Sequence, residues 1–195
     1  MPIERGGRGW VRVIAGRYRG RRLETFPGLD VRPTSDRVRE SLFGILGERV
    51  VGARVLDCFA GTGGLGIEAL SRGAGGAAFV ENDPRVLLVL RKNLGLLDPM
   101  DTRVVIAGDA LNPQNWREKG FPARLVFADP PYRRGFVPTF LDRLSALGAL
   151  GSESLVVVEH ERELAVEKPG WALTDRREYG DTAITFLTCR EKEHA

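Results

Sequence analysis

The chain has 195 residues, of which 43% are hydrophobic and 28% are charged, with a formal net charge of +3. This composition can bury a core and excludes a disordered or fibrous protein. The longest apolar run, Val86–Leu90, is far shorter than the ~20 residues of a membrane-spanning helix. Two cysteines, Cys58 and Cys189, are too few for a disulfide framework or a metal-binding cluster. The Arg- and Gly-rich start of the chain lacks the apolar segment of a secretory signal, so we expect a cytoplasmic protein.

Positive charge is concentrated in the first 39 residues, which hold ten arginines and four acidic residues. Arginine binds phosphate through two hydrogen bonds and stacks on bases, so an arm of this kind is typical of a protein that binds a polyanion. The Arg-rich run at 17–22 and the aromatic residues near it favour RNA or DNA over a solvated terminus. The candidate contacts in this arm are Arg17, Arg19 and Arg21, interleaved with Trp10 and Tyr18.

The first elements in chain order are a hairpin and a helix. Two short strands at 10–15 and 21–26, around a glycine-containing turn, predict a β-hairpin. A proline then interrupts the chain before a helix predicted over 35–47, with Thr34 or Ser35 as its N-cap. We expect residues 1–30 to form a basic arm and hairpin outside the main domain.

From residue 53 onwards, predicted strands and helices alternate. The strands are expected at 53–58, 76–81, 102–107, 123–128 and 154–158, and the helices near 64–72, 84–97, 112–119 and 136–149. Two more strand-like runs within 171–189, around Gly180-Asp181, predict an antiparallel hairpin at the sheet edge. Alternation of this kind indicates an α/β, Rossmann-like domain over 31–195, with a mostly parallel sheet covered by helices on both faces.

A glycine turn joins the first of these strands to its helix. Gly61, Gly63 and Gly66 allow a ligand to approach the backbone, and the following helix offers unpaired N–H groups. Glu81 ends the next strand 20 residues after Gly61, where a carboxylate can accept from the two hydroxyls of an adenosine ribose. The glycine spacing fits a dinucleotide as well as S-adenosylmethionine, so this motif alone leaves both cofactors open.

Asp57, four residues before Gly61, helps to separate the two cofactors. A carboxylate at that place would repel a pyrophosphate but attract the cationic amino group of a methionyl moiety. Asp57 therefore favours S-adenosylmethionine. Asp109 follows the third strand, where it can accept from the adenine amino group or cap a helix.

The fourth strand ends in the tetrapeptide Asp129-Pro-Pro-Tyr132. Ligands bind beyond the carboxyl ends of strands in open α/β sheets, so this tetrapeptide should face the same pocket as the glycine turn. The Asp129 carboxylate and the Pro130 carbonyl can accept both hydrogens of an exocyclic base amine, which directs the nitrogen lone pair towards an electrophilic methyl group. Tyr132 offers a ring face to the base. The motif predicts transfer of a methyl group to such an amine.

With these residues, the chain resembles the class I S-adenosylmethionine-dependent methyltransferases. Within that class it is similar to the bacterial RsmD family, which methylates the exocyclic N2 amine of a guanine in 16S ribosomal RNA. The resemblance covers nearly the whole length. The resemblance is based on four segments, Arg12–Leu23, Arg32–Phe43, Leu56–Ser71 and Asp129–Gly135.

The resemblance implies a seven-stranded sheet with a reversed final strand and an N-terminal hairpin extension. It implies a substrate in the assembled or assembling small subunit; a monomer is expected. It also implies cofactor contacts at Asp57, Phe59, Gly61, Gly63 and Glu81, and amine contacts at Asp129, Pro130 and Tyr132. Asp109 lies in a segment that varies.

Three further arginines are candidate substrate contacts. Arg37 and Arg39 are two apart on the predicted helix and so do not share a face, and Arg37 is the one assigned to substrate. Arg133 and Arg134 follow the tetrapeptide, where they can hold phosphates beside an extruded base. His160 is expected at a solvated strand end rather than in catalysis.

Three other functions are compatible with parts of the sequence. An adenine-N6 or cytosine-N4 methyltransferase acting on DNA or RNA would use the same tetrapeptide chemistry. A non-catalytic RNA-binding ribosome assembly factor would use only the basic arm. An NAD-dependent oxidoreductase would use only the glycine turn.

Overall fold

The computed structural model describes residues 10–26, 36–112, 122–132, 134–146, 150–151 and 153–190. The expected N-cap at Thr34 or Ser35, nearly all of the helix predicted over 112–119, and Arg133 lie outside the described residues. Among the helices in the described part, none is long and apolar enough to cross a membrane.

Two sheets form from the described strands. A small antiparallel hairpin pairs β1 with β2, and the large sheet has seven strands in the order β5-β4-β3-β6-β7-β9-β8. The strand bounds are β1 Trp10–Arg12, β2 Arg22–Glu24, β3 Arg54–Cys58, β4 Gly76–Glu81, β5 Arg103–Ala107, β6 Leu125–Ala128, β7 Leu155–Glu161, β8 Trp171–Tyr179 and β9 Thr182–Cys189. The first five strands of that order are parallel, and β9 runs antiparallel to both β7 and β8.

Helices cover both faces of the large sheet, as the alternating sequence pattern predicts. The bounds of the described α-helices are α1 Asp36–Leu46, α2 Gly64–Ser71, α3 Pro84–Leu94 and α4 Phe136–Ala146. Buried side chains of α1, α2 and α3 share one apolar core with one face of the sheet, and those of α4 lie in a second core on the other face. The expected Rossmann-like fold, with its N-terminal hairpin and its reversed strand, is confirmed.

The N-terminal hairpin packs against α2. The Glu68 carboxylate, only 1% exposed, accepts hydrogen bonds from the backbone N–H groups of Ile14 at 2.7 Å and Ala15 at 3.1 Å. Gly16 has a φ of +81°, and a Cβ at this position would lie 1.9 Å from the Ser71 carbonyl oxygen. Only glycine fits this contact, so the Gly16 turn determines how closely the hairpin approaches the domain.

The strand order reverses at β3, which lies between β4 and β6. Connections leaving β3 and β6 therefore run to opposite sides and leave a crevice at the carboxyl edge of the sheet. The glycine turn follows β3 and the Asp129 tetrapeptide follows β6, so the fold brings both motifs to this crevice.

Element boundaries differ from the expected ones by a few residues. The first two strands are shorter than predicted, and α3 ends at Leu94 rather than residue 97. The interpretation of His160 was wrong. This residue is fully buried in β7, where its ring nitrogens lie 2.8 Å from the Glu161 carbonyl oxygen and from Thr185 Oγ1. The antiparallel partner β9 continues alongside β7 and covers this position.

Candidate active site

The glycine turn between β3 and α2 has a tightly constrained backbone. Gly63 caps α2 with a φ of +90°, and Gly61 has a φ of +55°. A Cβ at Gly66 would lie 2.3 Å from Phe79 Cε1 and 3.0 Å from Asp57 Oδ2. Glycine at Gly66 thus lets α2 pack directly on the sheet and on the Asp57 carboxylate.

Asp57 is the penultimate residue of β3 and is 2% exposed. Its Oδ2 accepts a hydrogen bond from the Gly66 N–H at 2.8 Å. Burial raises the pKa of Asp57 to about 8, although the Gly66 hydrogen bond acts in the opposite direction, and the nearby Glu81 carboxylate adds to the rise. A cation beside Asp57 would stabilise the ionised carboxylate and so offset the cost of burying its charge.

Glu81 ends β4 beside the glycine turn and is partly exposed. Its Oε2 accepts from the Gly61 N–H at 2.9 Å, and its Oε1 accepts from the N–H groups of Asn82 and Asp83 at 2.8 Å each. These bonds fix the carboxylate at the strand end, and Oε2, which accepts only one of them, retains acceptor capacity for a ligand hydroxyl. Asp109 instead accepts from the Leu111 N–H at 2.9 Å, which is a local turn contact.

Phe59 provides an apolar wall immediately before the glycine turn. Its φ of +59° places a non-glycine residue in the left-handed region, a conformation that surrounding structure must hold. The ring stacks on Phe136 with a centroid distance of 6.1 Å and meets Phe140 edge-on at 5.9 Å. These contacts join the turn to α4.

Asp129 follows β6, the strand next to β3. Burial raises its pKa well above the ordinary value for aspartate, and the Glu159 and Asp57 carboxylates raise it further. Because β3 and β6 are neighbouring parallel strands, Asp57 and Asp129 lie at the same edge of the sheet. The following Pro130 is buried.

Tyr132 reaches across the ends of β7 and β9. Its hydroxyl donates to Glu159 Oε1 at 3.1 Å and lies 2.9 Å from Thr182 Oγ1. Burial and the Glu159 carboxylate raise the pKa of the Tyr132 phenol, so it stays protonated at neutral pH. Glu159 itself is only 7% exposed.

Sequence reasoning did not identify Glu159 as a site residue. The available signal was a carboxylate two positions beyond Val157 in a buried strand, and therefore on the same face of the sheet as that core residue. The residue types around it gave no indication that Tyr132 would be its hydrogen-bond donor.

Comparison with known proteins agrees with this geometry. The family model described as "Conserved hypothetical protein 95" matches residues 11–188. The chain belongs to this family. It is 42% identical over 180 residues to Ribosomal RNA small subunit methyltransferase D of Escherichia coli K12, covering 91% of this chain and 89% of that protein. The resemblance to the RsmD family inferred from the motifs is thereby confirmed.

Other relatives and solved structures extend the similarity across the chain. The protein of the same name from Haemophilus influenzae is 36% identical over 179 residues, covering 89% of this chain and 91% of that protein. The solved structure of yhhF from Escherichia coli has a TM-score of 0.79 and 39% identity, covering 94% of this chain and 100% of that chain. A hypothetical protein of Thermus thermophilus has a solved structure with a TM-score of 0.71 and 29% identity, covering 90% of this chain and 98% of that chain.

In this family member, two arm arginines have intramolecular partners. The Arg17 guanidinium forms an ion pair with Asp101 and lies 5.0 Å from the centroid of the Tyr18 ring. Arg21 stacks on the same ring, also at 5.0 Å. Tyr18 is only 7% exposed, so its ring is packed inside the protein beside these two arginines. Arg19 is exposed on the same turn.

The arginines of α1 divide as their spacing predicts. Arg37 is exposed and lines a cleft of about 380 Å³ with Glu178 and Tyr179. Arg39 is 3% exposed and donates to Asp36 Oδ1 at 2.7 Å and to the Arg12 carbonyl oxygen at 2.8 Å. Burial lowers the pKa of Arg39.

Arg134 is exposed beside a small cavity next to the tetrapeptide. Pro130, Pro131 and His160 contribute to the same cavity wall. Its position leaves the guanidinium accessible to a polyanion near Asp129.

Proposed function

We propose that this protein transfers a methyl group from S-adenosylmethionine to the N2 amine of a guanine in 16S ribosomal RNA of the small subunit. Membership of the family supports the general class, because relatives at 36–42% identity are named small-subunit ribosomal RNA methyltransferases. The observation that carries the proposal is the arrangement of carboxylates at the crevice. Asp57 and Glu81 lie beside the glycine turn, and Asp129 follows the neighbouring strand.

The glycine-turn side fits an S-adenosylmethionine molecule. Asp57 is a buried acid with a raised pKa, and an adjacent cationic amino group would lower that pKa. Glu81 is held where its Oε2 can accept from a ribose hydroxyl. Gly61 keeps the turn open to the cofactor, because a Cβ there would have only the Phe59 carbonyl oxygen within 4.0 Å. Gly63 instead allows the turn to pack closely on Ile67 and Leu90. Phe59 supplies an apolar wall. When bound, this cofactor supplies an electrophilic methyl group.

The tetrapeptide side orients the amine. Asp129 accepts one N–H hydrogen of the base amine and the Pro130 carbonyl accepts the other. This arrangement favours a pyramidal nitrogen whose lone pair faces the crevice. Positioning of this kind supplies several of the ~7–11 kcal/mol available from orientation. Asp129 does not need to deprotonate the amine beforehand, because the proton becomes acidic once the nitrogen carries the methyl group.

Recognition of the RNA backbone is assigned to basic side chains around the crevice and on the hairpin. Arg19, Arg37 and Arg134 are exposed and can contact phosphates. We keep Arg17 and Arg21 among the candidates, although each also packs on Tyr18. Arg133 is a further candidate from the sequence.

The test is transfer of a labelled methyl group to small subunits purified from a strain that lacks this protein. We expect label in 16S RNA at one guanine, recovered after digestion as N2-methylguanosine. Subunits from the parent strain serve as the control and should accept no label. Label recovered as N6-methyladenosine or N4-methylcytidine would replace this proposal with the amino-methyltransferase alternative. No transfer to subunits or their assembly intermediates would refute it.

A further inference from the structure

Carboxylates occur at the ends of four neighbouring parallel strands. In sheet order these are Glu81 on β4, Asp57 on β3, Asp129 after β6, and Glu159 on β7. The proposed function uses the first three. Glu159 has no role in it, although it is buried at the substrate side of the crevice.

Asp129 and Glu159 are neighbours by register. Ala128 of β6 pairs with Val158 of β7 in parallel. Asp129 directly follows Ala128, and Glu159 directly follows Val158, so the two acids are neighbours. Phe127 lies two residues before Asp129, and Val157 lies two residues before Glu159. Both side chains belong to the same apolar core. Alternation therefore directs Glu159 to this face of the sheet, and Asp129 continues the same register one residue beyond β6. Their proximity is also evident in the effect of Glu159 on Asp129, whose pKa it raises.

The position of Glu159 is fixed by contacts on the side away from the cofactor residues. Tyr132 donates its hydroxyl hydrogen to Glu159 Oε1 at 3.1 Å, and the same hydroxyl lies 2.9 Å from Thr182 of β9. Since β7 lies on the far side of β6 from β3, Glu159 is farther along the sheet from Asp57 than Asp129 is. A base whose amine meets Asp129 would extend its neighbouring ring atoms in this direction.

The three bases with an exocyclic amine differ at the adjacent ring nitrogen. Guanine presents its N2 amine beside an N1–H donor. Adenine presents its N6 amine beside an N1 acceptor, and cytosine its N4 amine beside an N3 acceptor. When both are ionised, two adjacent carboxylates are acceptors only, and they match the donor-donor edge of guanine. The acceptor nitrogen of either other base would instead require one of the two acids to keep a proton.

We propose that Glu159 accepts the N1–H of the target guanine while Asp129 accepts from its N2 amine, which makes Glu159 the residue that selects guanine. This inference rests on the proposed function and adds the basis of its selectivity. The mutual repulsion of the two carboxylates is relieved when both receive a donor from one base edge. An acceptor facing Glu159 adds to the repulsion instead.

The decisive substrate is a small subunit reconstituted with 2-aminopurine at the methylated guanine. This base retains the N2 amine but has an unprotonated N1. We expect the wild-type protein to methylate guanine faster than 2-aminopurine by about 10- to 100-fold, the range of one good base-edge contact. In Glu159→Gln, the side-chain amide can donate to N1, so this ratio should fall at least about tenfold, with kcat rather than KM carrying the change. Intrinsic reactivity differences between the two bases cancel when the variant's ratio is compared with the wild-type ratio.

A matched control variant separates recognition of the base from other effects of the exchange. Glu153→Gln makes the same exchange at an exposed residue before the amino end of β7 and should leave the ratio unchanged. S-adenosylhomocysteine affinity, measured by calorimetry, should stay within about threefold of wild type in Glu159→Gln.

Failure of this inference differs from failure of the proposed function. Normal N2 methylation of guanine with an unchanged ratio in Glu159→Gln would overturn the role of Glu159 and leave the proposed function standing. If Glu159→Gln does not fold, the wild-type ratio is divided by the ratio at which a chemical methylating agent modifies the N2 amines of the two free nucleosides. A corrected ratio of about one would overturn the role of Glu159 without any variant. Absence of guanine methylation by the wild-type protein would instead remove the proposed function.

Discussion

Asp57 accepts a hydrogen bond from the backbone N–H of Gly66 at 2.8 Å, and this bond connects the carboxyl end of β3 to the first turn of α2. The contact requires glycine at Gly66, because a Cβ there would meet both Phe79 and the Asp57 carboxylate. The same close packing excludes water from Asp57. One short connection thus forms the turn and also creates a buried acid.

Asp57 should make the unliganded protein less stable as the pH rises. Its pKa is about 8 in the folded protein and near 3.8 in the unfolded chain, so between these values folding keeps a proton that unfolding releases. Stability from this group is complete below pH ~4 and is lost as pH rises towards 8, at up to about 1.4 kcal/mol per pH unit. Asp57→Asn can still accept from Gly66 and has no proton to release. The quantity to compare is the free energy of unfolding of the variant minus that of the wild type, measured with urea. We expect this difference to be about 2–4 kcal/mol larger at pH 8 than at pH 5. A difference that does not change with pH would contradict the buried-acid assignment.

Binding of S-adenosylhomocysteine should release a proton from Asp57. At pH 7 the buried carboxyl is mostly protonated, and an adjacent cationic amino group favours its ionised form. Calorimetry in phosphate and in Tris, which differ in ionisation enthalpy, should show release of up to about one proton per site. Asp57→Asn should bind more weakly and release none. The same proton release in wild type and variant would place the titrating group elsewhere.

Periodicity and motif spacing were sufficient for the fold and for the location of the crevice. The β4 strand begins and ends where the sequence predicts. The α3 helix begins at the predicted residue, and its N-cap is Asp83, whose side chain accepts from the Arg85 N–H at 2.8 Å. These elements are determined by local signals, namely apolar runs, capping residues and proline at a helix start.

Side-chain pairs between residues distant in the sequence could not be predicted from it. Arg17 and Asp101 are 84 positions apart, and Tyr132 and Glu159 are 27 apart, so no local pattern pairs them. His160 illustrates the same limit, since its burial depends on β9 returning alongside β7. The role of each of these polar residues thus depends on a partner that only tertiary packing brings close.

Asp129→Ala should abolish methyl transfer while leaving the cofactor site intact. The side chain accepts from the substrate amine in our proposal, whereas cofactor contacts are assigned to residues on β3, β4 and the glycine turn. We expect the rate of transfer to small subunits to fall by at least about 10²-fold. S-adenosylhomocysteine affinity should stay within a few fold, measured by calorimetry. A near-normal transfer rate in the variant would remove Asp129 from the mechanism.

Replacing Arg19 and Arg22 together should weaken RNA binding without loss of stability. Both side chains are exposed on the hairpin, unlike Arg17 with its Asp101 partner. If each contacts one phosphate, the slope of log K against log salt should become less steep by about 1.4–1.8. Arg124→Ala is a suitable control, because Arg124 is exposed at the opposite, amino-terminal edge of the sheet. An unchanged slope in the double variant would show that these two residues do not contact RNA.

Asn93→Ala should both destabilise the protein and weaken cofactor binding. This fully buried side chain of α3 donates to the carbonyl oxygens of Glu24 at 3.0 Å and Thr62 at 2.9 Å, and it accepts from the Glu24 N–H at 2.8 Å. It therefore joins the end of the hairpin to the glycine turn. Removing it leaves three half-buried backbone groups without this partner. Three fully buried unsatisfied groups would cost about 3–9 kcal/mol, and water can reach half-buried ones, so we expect a loss of about 2–4 kcal/mol in the free energy of unfolding.

The consequence for binding follows from Thr62, which lies between Gly61 and Gly63. Losing the Asn93 donor frees the Thr62 carbonyl, so S-adenosylhomocysteine affinity should fall about three- to tenfold at a temperature where the variant is fully folded, since one neutral hydrogen bond contributes about 1 kcal/mol. Asn112→Ala, at an exposed position, should change neither quantity. If Asn93→Ala loses stability but binds the cofactor with wild-type affinity, Asn93 supports the hairpin alone and the glycine turn keeps its shape without it.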